Sequence, residues 1–192
     1  MKEIKKDRRI LRTQNALKTN LLMLMKEQPI QKISVSRLCE KSDINRSTFY
    51  TYYSSPMDLL HSIEKDILHT LKEDMEQFHK GNSVSQLMSS ITSYISSNRE
   101  LIRLIFSDNG DPGFLNQLTL QLQEQTVADW QRRYPFCTKD DLISLQIFIS
   151  RGCIGIIEQW IRSGFRQTAE EISRTLEMLS WSAATGFLKL NV

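Results

Sequence analysis

Residues 34–53, SVSRLCEKSDINRSTFYTYY, constrain this chain more than any other stretch. Val35, Leu38 and Cys39 recur at helical intervals, and the pattern breaks at Ser42-Asp43. Ile44 is the apolar plug of a corner, and Asn45 is placed to cap a second helix with its side-chain oxygen. That second helix runs roughly Arg46–Tyr52, too short to persist alone in water. It therefore needs neighbours that clamp it through Phe49 and Tyr53. On its other side it offers Arg46, Ser47, Thr48, Thr51 and Tyr52. A short, clamped helix with arginine, hydroxyl and tyrosine tips suits a DNA major groove, where base edges present a donor and acceptor code.

The clamp is legible on both sides. Upstream, Ile10, Gln14, Leu17, Leu21 and Leu24 form a stripe at intervals of three and four. The spacing predicts a helix from about Arg8, ended before Pro29. The preceding KEIKKDRR reads as a disordered lead-in or a DNA-touching arm. Downstream, Ser55-Pro56-Met57-Asp58 combines a cap, a first-turn proline and a capping-box acid. The helix it opens carries Leu60, Ile63, Ile67, Leu71, Met75 and Phe78 to about Lys80, where Gly81 stops it. Two domains follow: a three-helix head over residues 1–54 and a helical body over 55–192.

The body continues the pattern. Ser83–Ser97 and Asn98–Phe106 read as helices, SDNGDPG (107–113) as a turn. Asp111-Pro112 is placed to cap a helix to about Tyr134 carrying Phe114, Leu118, Leu122, Val127 and Trp130. Thr138–Asp141 and Thr168–Glu171 are capping boxes for two last helices. With seven glycines, four prolines and no strand-like alternation, the chain reads as all-α with about nine helices.

The last two helices are apolar on most sides, which demands burial on most sides. Either one is a central core helix, or the pair meets its symmetry mate. The second reading makes Leu145, Ile149, Gly152, Ile156, Trp160, Leu176, Leu179, Ala183 and Phe187 a homodimer interface. Gly155, Ala184 and Gly186 would help the close approach. Two-fold packing is the commonest oligomer geometry, and it would set two heads on two half-sites.

Charge supports the division. The net +3 is the sum of +7 over residues 1–56 and −4 over 57–192. A positive excess on the segment with the two-helix corner is the footprint of a polyanion binder. Other classes recede. No apolar run spans a bilayer, and the charged MKEIKKDRR has no signal core, so a cytoplasmic protein is expected. Cys39, Cys137 and Cys153 are too scattered for a metal or disulfide framework. Cys39 and Cys153 fall on apolar faces, while Cys137 in a loop is a candidate redox handle. His61, His69 and His79 share one helix with no completing metal pattern. There is no phosphate loop and no hydrolase motif. No enzyme, cofactor or metal is expected.

VSRLCEKSDINRSTFYTYYSSPMDLL resembles the helix-turn-helix of the tetracycline-repressor (TetR) family over about 45 residues. The features run in order: a short helix, a corner ending in Ile44, Ser47-Thr48-Phe49-Tyr50, the pair Tyr52-Tyr53, then Leu59-Leu60. The ending EQWIRSGFRQTAEEISRTLEML resembles one subgroup of the family's regulatory domains. Two positions depart: Asp43 stands where the corner usually has glycine, and Pro56 where a phosphate-binding lysine is usual.

The resemblance implies a homodimeric regulator, a repressor on a near-palindromic double-stranded DNA operator. Ser34, Ser36, Tyr50 and Tyr52 would touch phosphates, and Arg46, Ser47, Thr48 and Thr51 would face bases. It also implies a small-molecule effector of unspecified class, with Ile67, Tyr94, Phe106, Phe114, Trp130 and Phe148 as candidate pocket walls. The alternative is a helical ligand-sensing or protein-docking module that no longer binds DNA.

Overall fold

The computed structural model describes residues 2–81 and 83–190. Among them are nine α-helices, one 3-10 turn and no strand. The helices are α1 (Lys2–Met25), α2 (Val35–Ser42), α3 (Arg46–Tyr50), α4 (Pro56–His79), α5 (Val84–Ser97), α6 (Arg99–Ile105), α7 (Phe114–Arg133), α8 (Lys139–Arg162) and α9 (Ala169–Leu190). The all-α expectation holds. The 3-10 turn, Ile30–Lys32, was not foreseen. Helix α1 starts six residues before the expected Arg8, so KEIKKDRR is helical rather than a loose tail. The side chains of residues 2–7, on which the arm reading depends, lie outside the described residues, as does that of Leu122 in the α7 stripe.

The chain divides into two compact units, residues 1–67 with 104–112, and residues 68–103 with 113–192. In the first, α1 packs on α2 and α2 on α3. Leu17, Leu21 and Leu24 of the α1 stripe are fully buried, together with Leu38, Phe49, Leu59 and Leu60. Ile44, expected in this core, is half-buried.

The segment 104–112 belongs to this first unit although it is distant in sequence. Asn109 is its fastener. Its Nδ2 donates to the Met25 carbonyl at 2.8 Å, and its own carbonyl accepts from Ile30 N at 3.0 Å. At Gly110 a Cβ would lie 2.4 Å from the Ile105 carbonyl oxygen, so only glycine fits this turn.

In the second unit α5 packs on α9, and α8 packs on both α7 and α9. The capping expectations hold at both last helices. Thr138 Oγ1 accepts from Asp141 N at 3.2 Å. Thr168 Oγ1 accepts from Glu171 N at 3.2 Å, and Thr168 N donates back to Glu171 Oε2 at 2.8 Å. The expected α7 cap fails. That helix begins at Phe114 behind Gly113, with no side-chain cap, and Asp111 is engaged elsewhere.

Candidate nucleic-acid interface

The corner between α2 and α3 is built by local chemistry. Ser34 Oγ accepts from Arg37 N at 3.2 Å and so caps α2. Asp43 ends α2 with φ 53° and ψ 46°, the left-handed region that glycine usually fills. Short polar Asp tolerates it because its carboxylate can bond locally. The reversal is closed by Ile44 N donating to the Cys39 carbonyl at 3.0 Å. Asn45 precedes α3 in extended backbone, but its side chain makes no capping bond. Helix α3 is shorter than expected, ending at Tyr50.

With one full turn and no side-chain cap, α3 is held by packing. Phe49 is completely buried and meets Tyr53 at 5.9 Å between ring centroids and Tyr50 edge-on at 5.6 Å. Below it, Arg37 Nη2 binds Glu27 Oε2 at 2.8 Å and Lys41 Nζ reaches Glu27 Oε1 at 3.3 Å, tying α2 to the end of α1. On the far side, Asp58 N donates to Ser55 Oγ at 3.1 Å, and the Asp58 carboxylate accepts from Ser54 N at 2.7 Å. Pro56 occupies the first position of α4, where its missing N–H costs nothing.

Of the residues expected to reach DNA, Ser34, Ser36, Arg46, Ser47, Tyr50 and Thr51 are exposed, and Thr48 and Tyr52 are half-buried. Two hydroxyls are partly committed: Ser34 to its cap, and Thr51 Oγ1 as donor to the Ser47 carbonyl at 3.0 Å. Each retains acceptor capacity.

The candidate pocket walls are less uniform. In the first unit Ile67 is buried and Phe106 half-buried. In the second, Phe114 is 1% exposed, Tyr94 half-buried, and Trp130 packs on the cluster of Val127, Cys137 and Leu142. Phe148 is 69% exposed and so does not wall an interior cavity of the chain. Ile147 beside it on α8 is exposed too, and so are Met178, Leu179 and Trp181 on α9.

The expected interface set also divides by burial within the protomer. Leu145, Trp160 and Leu176 are buried inside the protomer, Trp160 Nε1 donating to the Gln167 carbonyl at 2.9 Å. Gly152 and Leu179 are exposed, and Ile149, Ile156, Ala183 and Phe187 are half-buried. A Cβ added at Gly152, Gly155 or Gly186 would meet nothing within 4 Å. Gly152, Gly155, Ile156 and Trp160 line a shallow groove of about 320 Å³, together with Arg151 and Thr175 among others.

The cysteines and histidines also find surroundings that their spacing did not announce. Cys137 is buried, and burial pushes its thiol up, Asp141 adding to the effect, so it is a poor redox handle. Burial likewise raises Cys39 and Cys153, with Arg46 and a Ser180 bond respectively pulling the other way. His79 stands 3.2 Å from Asp129, which also holds Arg132 and Arg133 at 3.2 and 2.9 Å. His61, for which sequence spacing offered no partner, stands 3.3 Å from Asp111. Beside them the Glu64 carboxyl is pushed up to about 7 by burial, with Asp111 adding and His61 opposing.

Fold and site define a class: an all-helical transcriptional regulator with a helix-turn-helix head. Residues 82–180 match the family described as the TetR-type "Transcriptional regulator C-terminal region". The chain belongs to the TetR family of transcriptional regulators. It is 38% identical over 63 residues to an uncharacterised HTH-type transcriptional regulator, YxbF, of Bacillus subtilis. That match takes in 32% of this chain and only 17% of that protein's length. Among solved structures, it is similar to a TetR transcriptional regulator from Streptococcus agalactiae, with 24% identity and a TM-score of 0.67. That match covers 93% of this chain and 98% of the other. It is also similar to the fatty acid degradation regulator FadR from Bacillus halodurans, with 10% identity and a TM-score of 0.68 over 88% and 94%. At these identities the likeness is one of fold.

Proposed function

We propose that this regulator is a cytoplasmic homodimeric repressor that binds a near-palindromic operator through α3. The observation that carries the reading is the two-sided character of that helix. Phe49 is completely buried, while Arg46, Ser47 and Tyr50 are exposed on a helix clamped by its neighbours. Arginine bidentate to guanine is the commonest specific base contact. Ser34, Ser36, Tyr50 and Tyr52 hold the register on phosphates, and Arg46, Ser47, Thr48 and Thr51 face bases. The head is residues 1–54 and the body 55–192 in this reading.

Dimerisation supplies the second half-site. The support for it is a bare apolar surface of Phe148, Met178 and Trp181, each at least 59% exposed, on the same two helices as glycines whose missing side chains nothing in the protomer requires. Effector release then requires a ligand that prefers a head spacing unfit for the operator.

A gel shift with the DNA flanking its own gene tests the reading. Specific retardation that weakens steeply with salt is expected, because neutralising phosphates releases counterions. Folded protein that retards no specific fragment at any salt overturns it. Arg46→Ala is expected to cost about 1–3 kcal/mol of operator binding and to relax one base position. Deleting the gene is expected to raise transcription of the adjacent genes, and a fall would mark an activator.

A further inference from the structure

His61, Glu64 and Asp111 bring one ligand atom each to within 4.8 Å of one another. His61 and Glu64 sit three apart on α4, hence on one face. Asp111 arrives from the turn that follows α6. Glu64 is 2% exposed, and neither of its carboxylate oxygens has a hydrogen-bond partner. A buried carboxylate without a donor is costly, and it is relieved by a proton or by a cation.

We propose that His61, Glu64 and Asp111 bind one divalent transition-metal ion of the zinc class. The donor set selects the class. One imidazole nitrogen with two carboxylate oxygens suits Zn²⁺, Co²⁺, Ni²⁺ or Mn²⁺, whereas Ca²⁺ and Mg²⁺ take all-oxygen shells. Two donors about 2.1 Å from a tetrahedral ion stand about 3.4 Å apart. His61 Nε2 and Asp111 Oδ2 are 3.3 Å apart. The widest pair closes by up to about 1.4 Å, from 4.8 Å to that same tetrahedral separation. The His61 side chain is 52% exposed, which provides both the freedom to close and the entry path. Three protein donors leave a position for water.

The ion's place in the first unit gives it a structural consequence. Asp111 lies two residues beyond Asn109, which is bonded to the end of α1 and to Ile30 ahead of α2. An ion joining Asp111 to α4 therefore ties the start of α4 to the segment that fastens the head's helices. A ligand that binds only the folded form raises its stability by mass action.

The test uses the full chain stripped with EDTA, then titrated with Zn²⁺ by calorimetry and with Co²⁺ by absorption. Expected are one ion per chain, a raised Tm, no comparable rise with Mg²⁺ or Ca²⁺, and Co²⁺ ligand-field bands without a thiolate charge-transfer band. His61→Ala and Asp111→Asn, both at positions with solvent access, are expected to weaken binding at least tenfold while leaving the fold intact. No Zn²⁺ binding by folded protein overturns the proposal, and so does binding that both variants leave unchanged. A cobalt–thiolate band would assign the ion to a cysteine and overturn it equally.

Discussion

Asp43 carries the sharpest backbone demand in the head. Its φ of 53° is a conformation that glycine adopts freely and that costs a residue with an ordinary Cβ about 1–2 kcal/mol. Asp43→Gly is expected to leave stability unchanged or raise it by up to about 1 kcal/mol, and Asp43→Ala to lower it by about that amount. Urea unfolding of the two variants measures both. Glu64 makes a second prediction at this scale. Its carboxyl titrates at about 7 in the fold against 4.5 as the ordinary value. Between about pH 4.5 and 7 the folded chain holds a proton there that the unfolded chain releases. The site's contribution is full below about pH 4.5 and is lost as pH rises through 7. In ion-free protein, Glu64→Gln is therefore expected to stabilise at pH 8, by on the order of 1–3 kcal/mol, and to be near neutral at pH 5. Unfolding curves at the two pH values check the sign.

Short elements in this chain live on their ends and their neighbours. Helix α2 has eight residues, α3 has five, and neither exceeds the length at which a helix persists in isolation. Ser34 supplies the cap of α2, and the Glu27 carboxylate holds its first turn through Arg37 and its last through Lys41. Ser34→Ala is expected to cost about 1 kcal/mol of stability by thermal or urea unfolding. The paired surface ions contribute less, because all three side chains stay substantially exposed. Capping boxes were the most legible feature of the sequence, since a cap is a contact between residues three apart. The cap at Thr138 and the full box at Thr168 hold, whereas Asp111 does not cap α7. The difference is physical. A competing partner from α4, fifty residues away, engages Asp111, and local spacing cannot register it.

For the whole molecule the prediction that matters concerns the exposed apolar residues of α8 and α9. Phe148 at 69%, Trp181 at 61% and Met178 at 59% exposure are large apolar side chains left in water, of the kind that a protein partner covers. On the proposed homodimer, Phe148→Glu or Trp181→Glu is expected to shift the protein to monomer in sedimentation while its far-ultraviolet dichroism stays unchanged. Operator affinity should fall with the dimer, since one head then reads one half-site.

Helical class, helix order and the two-helix corner were determined by the sequence alone. Each depends on local matters: apolar residues recurring every three or four positions, caps three residues from their partners, and breakers such as Pro29, Gly81 and Gly164. Tertiary structure decided which apolar residues stay outside. Leu145, Trp160 and Phe148 are large apolar residues of one helix, yet the first two are buried by the protomer's own helices and the third is left bare. Tertiary structure also decided that Asp111 meets His61 and Glu64, and that Asn109 fastens the end of α1. Those contacts are set by how helices pack in space. Periodicity records that a face must be covered, but not by what.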